Sequence, residues 1–362
     1  MKRLKSIDTF RGLSMLWMFV GHLQNWWLRD SDLWLYNLSF TIVDPIGSSA
    51  FIFIAGLTAV LSVRQRFIKA QLNDEYKPQM IKREYFFRAL LIFLLAIMYN
   101  ISIAAAILNP LWIWTWFVLL TVSISLILGW FLMKLPIWIR IAIGFIIWIL
   151  NQVLLFFLFP YQNQLNVYGI MFHILYHSRD LDVILTFFPF FLFGTVIGEI
   201  LFKIYRIKDE EDLKRTIKKR FIYPTLISGL FLIFVGIVIF YPNFLINRSF
   251  SWTIYTLGID LTLFSILFIF EEFKVLKLKR SYHFLFFYSF YSLTIYFIHN
   301  VLYFLFYKQL NTINIWIYIL ITVSLMGLLF KILYNKFGSK ISIKVQIGKL
   351  AFYFAKKGKQ FN

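Results

Sequence analysis

The chain has 362 residues, of which 60% are hydrophobic, 21% aromatic and only 15% charged. That composition excludes an ordinary soluble domain, and long apolar runs recur along its length. There is no cysteine, which excludes disulfides, thiolate metal sites and a cysteine nucleophile.

The apolar runs predict an all-α polytopic membrane protein with ten spanning helices, each about 20 residues long as a bilayer core requires. In chain order the expected spans are 10–28, 39–63, 85–107, 111–133, 137–159, 182–204, 221–241, 251–271, 284–306 and 314–334. The second carries Asp44-Pro45 and, toward its end, Phe51-Ile-Phe-Ile-Ala-Gly56. No cleavable leader is visible. The first apolar segment opens with Arg11-Gly12 and lacks a small-x-small cleavage pattern, so it is expected to remain as the first span. Residues 1–335 are read as the transmembrane domain and 336–362 as a basic, partly apolar tail suited to the membrane surface. No internal repeat is evident, which weakens a transporter built on inverted repeats.

Lysine and arginine set the orientation. With the N-terminus inside, loops 64–86, 205–220 and 272–282, the turn 134–136 and the tail share one side. Of the 37 basic residues only Arg29, Arg179, Arg248 and Lys308 fall on the other. Both termini are therefore expected to be cytoplasmic, in a multi-pass protein of the cell membrane. The net charge of +20 then reflects topology and attraction to membrane lipids, and nucleic acid is excluded as a partner.

The rest of the chain is organised around Ile7–Trp27, an apolar helix with three ionisable side chains in it. Asp8 and Arg11 sit three apart and are expected to share a face and pair. His22 follows Arg11 by eleven residues, roughly 16 Å along the axis and close to three whole turns. If Arg11 lies at the inner interface, His22 lies deep in the hydrocarbon, where an imidazole needs the protein interior or a watered cavity. A general base and a hydrogen-bonded packing histidine are both open readings.

Other intramembrane polar residues each carry a bland reading beside a functional one. Asp8, Arg11, Arg88 and Glu199 lie near the inner boundary, where snorkelling to water is the bland reading, an open one for Arg88 and the expected one for Glu199, and Asn100 and Asn151 are expected to join helices. Asp44, beside the helix-opening Pro45, reads as a cap or a site residue. Asp260 reads as a buried partner for an arginine or histidine. His299 lies toward the outer end of the ninth span. His173 and His177, four apart, lack an acidic third ligand on their helix face, and no metal site is expected.

Ile7-Asp8-x-x-Arg11-Gly12 followed by His22 resembles the opening helix of the membrane-bound acyltransferase superfamily. The arginine–histidine pair is similar to that of the acyltransferase-3 family. The fuller run Arg3-x-x-Ser6-Ile7-Asp8-Thr9-Phe10-Arg11-Gly12-Leu13 resembles the heparan-α-glucosaminide N-acetyltransferase catalytic-domain family, and also glucan succinyltransferases. Phe51–Gly56, Phe190-Phe-Leu-Phe-Gly194 with Gly198, and Ser292-Leu-Thr-Ile-Tyr296-x-x-His299 resemble later elements of these families. There are departures. Animal heparan-type enzymes are associated with a histidine in the loop after the first span, and Trp27–Ser39 has none. They also tend to have asparagine where this chain has His22.

The resemblance implies an acyltransferase with acyl-CoA, acetyl-CoA in first place, as co-substrate and no metal. His22, Asp8 and Arg11 are the implied catalytic residues, with Arg11 and Arg88 on the CoA phosphates. Tyr296, His299, Asp44 and Asp260 are the candidates for the acceptor side. The acceptor is expected to be a carbohydrate or glycolipid reached from outside, and a homodimer is compatible with the reading. His22 acts either as general base or as a transient acyl carrier. The outer aromatics Trp26, Trp27, Trp34, Tyr161 and Tyr168 suit a sugar, and an interfacial belt explains them equally well. The rival class is a transporter or flippase with His22 and the buried acids as a proton relay.

Overall fold

The computed structural model describes residues 3–72, 77–178, 181–273 and 282–357. The helices are α1 (Lys5–Trp27), α2 (Leu33–Val43), α3 (Ser48–Leu72), α4 (Pro78–Ala106), α5 (Val118–Leu132), α6 (Ile137–Leu158), α7 (Val167–Leu175), α8 (Ile184–Ile204), α9 (Glu210–Ile217), α10 (Tyr223–Ile239), α11 (Phe250–Glu272), α12 (Tyr282–Phe290), α13 (Ser292–Ile298), α14 (Asn314–Phe337) and α15 (Ile343–Lys357). Short 3-10 or π turns join several of them.

The chain is an all-α polytopic membrane protein. Among the described residues eight helices are long and apolar enough to cross a bilayer, and a ninth span forms if the bent pair Phe284–Phe290 and Ser292–Phe304 is counted as one. α1 is not in that set, because Asp8, Arg11, His22, Gln24 and Asn25 dilute its apolar content. It is nonetheless the hub, packed on α2, α3, α11, α12 and α14. The expected second span is broken at a 3-10 turn, Asp44–Ile46, where Pro45 cannot donate to a continuing ladder. α3 restarts at Ser48, so Phe51–Gly56 opens the helix instead of closing it. The expected ninth span bends by 76° between α12 and α13. Part of the 64–86 and 272–282 loops, and Arg179, lie outside the described residues. The remainder of the 64–86 segment is mostly helical, at the ends of α3 and α4.

Two close approaches hold the frame. A Cβ on Gly12 would collide with the Leu285 carbonyl of α12, so α1 meets α12 backbone to backbone. Cβ atoms on Gly56 and Gly194 would collide with the carbonyls of Phe191 and Phe53, which seats α3 against α8 with no side chain between. The phenylalanine-glycine elements are thus a packing seam. At the far end of α1, the amides of Lys308 and Leu310 donate to the carbonyls of Trp26 and Trp27 (2.9 and 2.8 Å). That short ladder pins the end of α1 to the chain that follows α13.

Candidate active site

The i, i+3, i+4 rule places Arg11, Ser14 and Met15, Met18 and His22 along one stripe of α1. Ser292, Tyr296 and His299 form the matching stripe of α13 and its first following turn. The two stripes line a path. At the end of the bundle where α1 begins there is a chamber of about 720 Å³ between α1, α3, α4, α5, α13 and α15. Arg11, Arg66, Arg88, Lys344 and Lys349 face it against one acid, Glu84. Phe51, Leu119, Ser292 and Leu293 belong both to this chamber and to a narrower cavity of about 30 Å³. Met18 and Tyr296 wall the narrow part, each one turn before a histidine. The chamber therefore continues along α1 to within one turn of His22.

His22 and His299 are bonded to each other, Nδ1 to Nε2, at 2.7 Å. Their rings are nearly coplanar, 9° apart, with centroids 4.9 Å apart. The Nδ1 of His299 lies 3.0 Å from the Ile295 carbonyl. A carbonyl only accepts, so that nitrogen carries the proton and His299 Nε2 is left as an acceptor. His22 must then donate from Nδ1, which leaves its Nε2 as a lone pair. Among the described residues that nitrogen has no protein partner. The result is a carbonyl–imidazole–imidazole relay that fixes the tautomer of both rings and leaves the outermost nitrogen as an acceptor. Trp26 stacks on both rings (5.2 and 5.4 Å between centroids). Tyr296 lies 6.0 Å from His299 and 5.0 Å from Tyr99, whose hydroxyl accepts from Asn300 at 2.9 Å.

The expected Asp8–Arg11 pair does not form. Arg3, in the segment leading into α1, bonds Asp8 at 2.7 Å, and Ser289 donates to the other oxygen at 3.3 Å. Arg11 turns instead to Thr58 of α3 (3.3 Å) and to the chamber it shares with Arg88. Glu199 does not snorkel: it is buried between Arg64 (3.0 Å) and Arg140 (3.8 Å). Asn100 ties α4 to the Thr115 carbonyl, and Asn151 ties α6 to Thr186 of α8.

Asp44 lies in the 3-10 turn just before α3, whose later residues from Ala55 to Arg66 line the chamber. Its carboxylate receives Arg248 at 2.9 Å, and Arg248 also faces Asp182 at 3.7 Å. The Arg248 guanidinium is sandwiched over Phe187 and Trp252 (4.6 and 4.8 Å). Burial, working against the Arg248 charge, pushes the Asp182 carboxyl up to about 6. Asp260 is fully buried on α11, and neither carboxylate oxygen has a partner among the described residues. Among the described residues no arginine or histidine meets it. His173 and His177 touch each other (3.2 Å between Nδ1 atoms), with Trp112 against His177.

Sequence reasoning missed the Ile295 carbonyl, Tyr99 and the lysines of α15. The Ile295 carbonyl lies four residues before His299 in the same segment, and Tyr99 follows only from the tertiary packing that sets α4 beside Tyr296. The basic tail was visible, but not that it folds back onto α4.

A family model described as heparan-α-glucosaminide N-acetyltransferase, catalytic, matches residues 3–234. It spans α1 through most of α10, and Tyr296, His299 and α15 lie beyond it. Among curated proteins the chain has no match.

Proposed function

Because the chain belongs to the heparan-α-glucosaminide N-acetyltransferase catalytic-domain family, a family of membrane acetyltransferases, we propose that it moves an acetyl group from cytoplasmic acetyl-CoA to a carbohydrate or glycolipid acceptor on the outer face of the cell membrane. The observation that carries this reading is the lining that runs from a cationic chamber to Met18 and Tyr296, one turn short of a bonded imidazole pair whose outer nitrogen has no partner among the described residues. The chamber suits a polyphosphate, with Arg11 and Arg88 on its oxygens. Along the α1 stripe, Arg11 and His22 are roughly 16 Å apart, a span suited to a slender arm ending in a thioester. The positive-inside rule sets the chamber on the cytoplasmic side.

His22 Nε2 takes the proton from the acceptor hydroxyl or amine as that atom attacks the thioester carbonyl. The carbon–sulfur bond breaks, and His22 returns the proton to the departing sulfur. His299, anchored on the Ile295 carbonyl, positions the ring and shares the charge it acquires. General-base help of this kind is worth roughly 10²–10⁴ in rate. Tyr296, Tyr99 and Asn300 border the side from which the acceptor approaches. Asp44 acts on that side only through Arg248, and Asp260 takes no part in the transfer.

The test is acceptor-dependent consumption of radiolabelled acetyl-CoA by the full chain in nanodiscs, against a panel of amino sugars, glycans and glycolipids. Label transfer that His22→Gln abolishes supports the enzyme. A transporter leaves the thioester intact with every acceptor, and that outcome overturns the reading.

A further inference from the structure

The helix α15 lies outside the family match and outside the chemistry at His22. It brings Lys344 and Lys349 to the chamber wall. Lys344 Nζ donates to the Ser289 carbonyl at 2.8 Å, and the Ser289 hydroxyl binds Asp8. Lys344 is thus held next to an acid that Arg3 has already taken. Glu84, the one acid of the chamber lining, is likewise committed, to Arg66 at 2.6 Å. Among the described residues Arg11, Arg88, Lys344 and Lys349 have no ion-pair partner.

Elsewhere in the bundle the arginines Arg64, Arg140 and Arg248 are answered by acids. Arg64 and Arg140 share Glu199, and Arg248 has Asp44 and Asp182. Arg11 and Arg88, with Lys344 beside them and Lys349 exposed at the rim, face one cavity with no acid of their own, an arrangement suited to an anion of several charges. The volume of about 720 Å³ is that of a nucleotide-sized ligand. Arginines supply planar forks and lysines point charges, the usual mixture around phosphate groups.

We propose that α15 completes a polyphosphate-binding site, with Lys344 gripping a phosphate beside Arg11 and Arg88 and Lys349 at the mouth. The phosphates belong either to the acyl-CoA donor or to an anionic lipid headgroup. The first identity rests on the function proposed above.

Lys344 also provides a signature. Arg3, Asp8 and Arg11 face it from the α1 side, Arg88 from α4, with Arg66 and Glu84 across the chamber. Burial, and then the Arg11 charge, push its ammonium well below the usual lysine range, while Asp8 pulls the other way. An arriving phosphate favours the charged form, so binding takes up a proton at Lys344.

The experiment is titration calorimetry of acetyl-CoA into the full chain in neutral phosphatidylcholine nanodiscs, in two buffers of different ionisation enthalpy. The wild type is expected to bind with proton uptake. Lys344→Gln is expected to bind about tenfold more weakly, the loss of one charge-assisted hydrogen bond, and without the buffer dependence. Lys344→Arg restores affinity, which separates the site from a folding defect. If the wild type binds acetyl-CoA and Lys344→Gln binds it equally with the same proton uptake, the α15 site is overturned and the acetyltransferase reading stands. If the wild type ignores acetyl-CoA but retains phosphatidylglycerol on purification, in a Lys344-dependent way, the site holds a lipid headgroup and the donor reading fails. If neither binds, both fail.

Discussion

The chamber and the Asp44–Arg248–Asp182 cluster are made of the same residue types and behave oppositely. At the cluster, one guanidinium is buried between two carboxylates and two aromatic faces, and little is left to bind anything else. At the chamber, Arg11, Arg88, Lys344 and Lys349 face open volume, and the nearby acids Asp8 and Glu84 are taken by Arg3 and Arg66. A balanced buried charge is a fastener, since breaking it strands its partner. An unbalanced one near water is a receptor. The bundle is closed by charge at the cluster and opened by charge at the chamber.

Substitutions on the two sides should therefore separate stability from binding. The largest effect on folding is expected at the fastener. Arg248→Met leaves Asp44 buried and unpaired and should cost about 3–5 kcal/mol, read as a large fall in the melting temperature in detergent. Asp44→Leu added to Arg248→Met should recover most of that loss, because an apolar pair of similar volume is tolerated where a lone charge is not. Next comes the receptor. Arg88→Met should weaken acetyl-CoA binding about tenfold while changing stability by no more than about 0.5 kcal/mol. A large stability loss there would show that Arg88 is a fastener too.

The smallest effect concerns His177, in the loop after α7. Burial, then the His173 charge, hold its imidazole down at about 4. A lowered histidine is neutral in the folded protein while its unfolded counterpart takes a proton. Its contribution is therefore intact above the ordinary histidine range and lost as pH falls from there toward about 4. His177→Asn should flatten that acid limb by about 1 kcal/mol once solvent screening is allowed for. A melting-temperature series against pH checks it.

The architecture was legible because lipid forces it: apolar runs must be helices, and Pro45 marked the break at Asp44–Ile46. The bend at Tyr291 was not legible, since neither proline nor glycine stands there. Charge partners were the weakest part. Asp8 and Arg11 satisfy the local spacing rule, yet Arg3 and Ser289 reach the carboxylate first and Thr58 takes the guanidinium. Arg11, Arg88 and His22 were each picked out singly, but His22 and His299 are 277 residues apart. Only the packing of α1 on α12 and on the turn that opens with His299 puts their rings together. The glycines of the second and sixth expected spans were read as family marks, and their physical content, a backbone contact between α3 and α8, needed the fold.

The central claim is that the chamber holds the donor while the imidazole pair does the chemistry. Side-by-side measurement of acetyl-CoA affinity and acetyl transfer for His22→Gln tests it most directly. The account predicts wild-type affinity with transfer reduced roughly 10²–10⁴-fold. Transfer that survives in His22→Gln, or affinity that collapses with it, would contradict the division of labour between the two ends of the path.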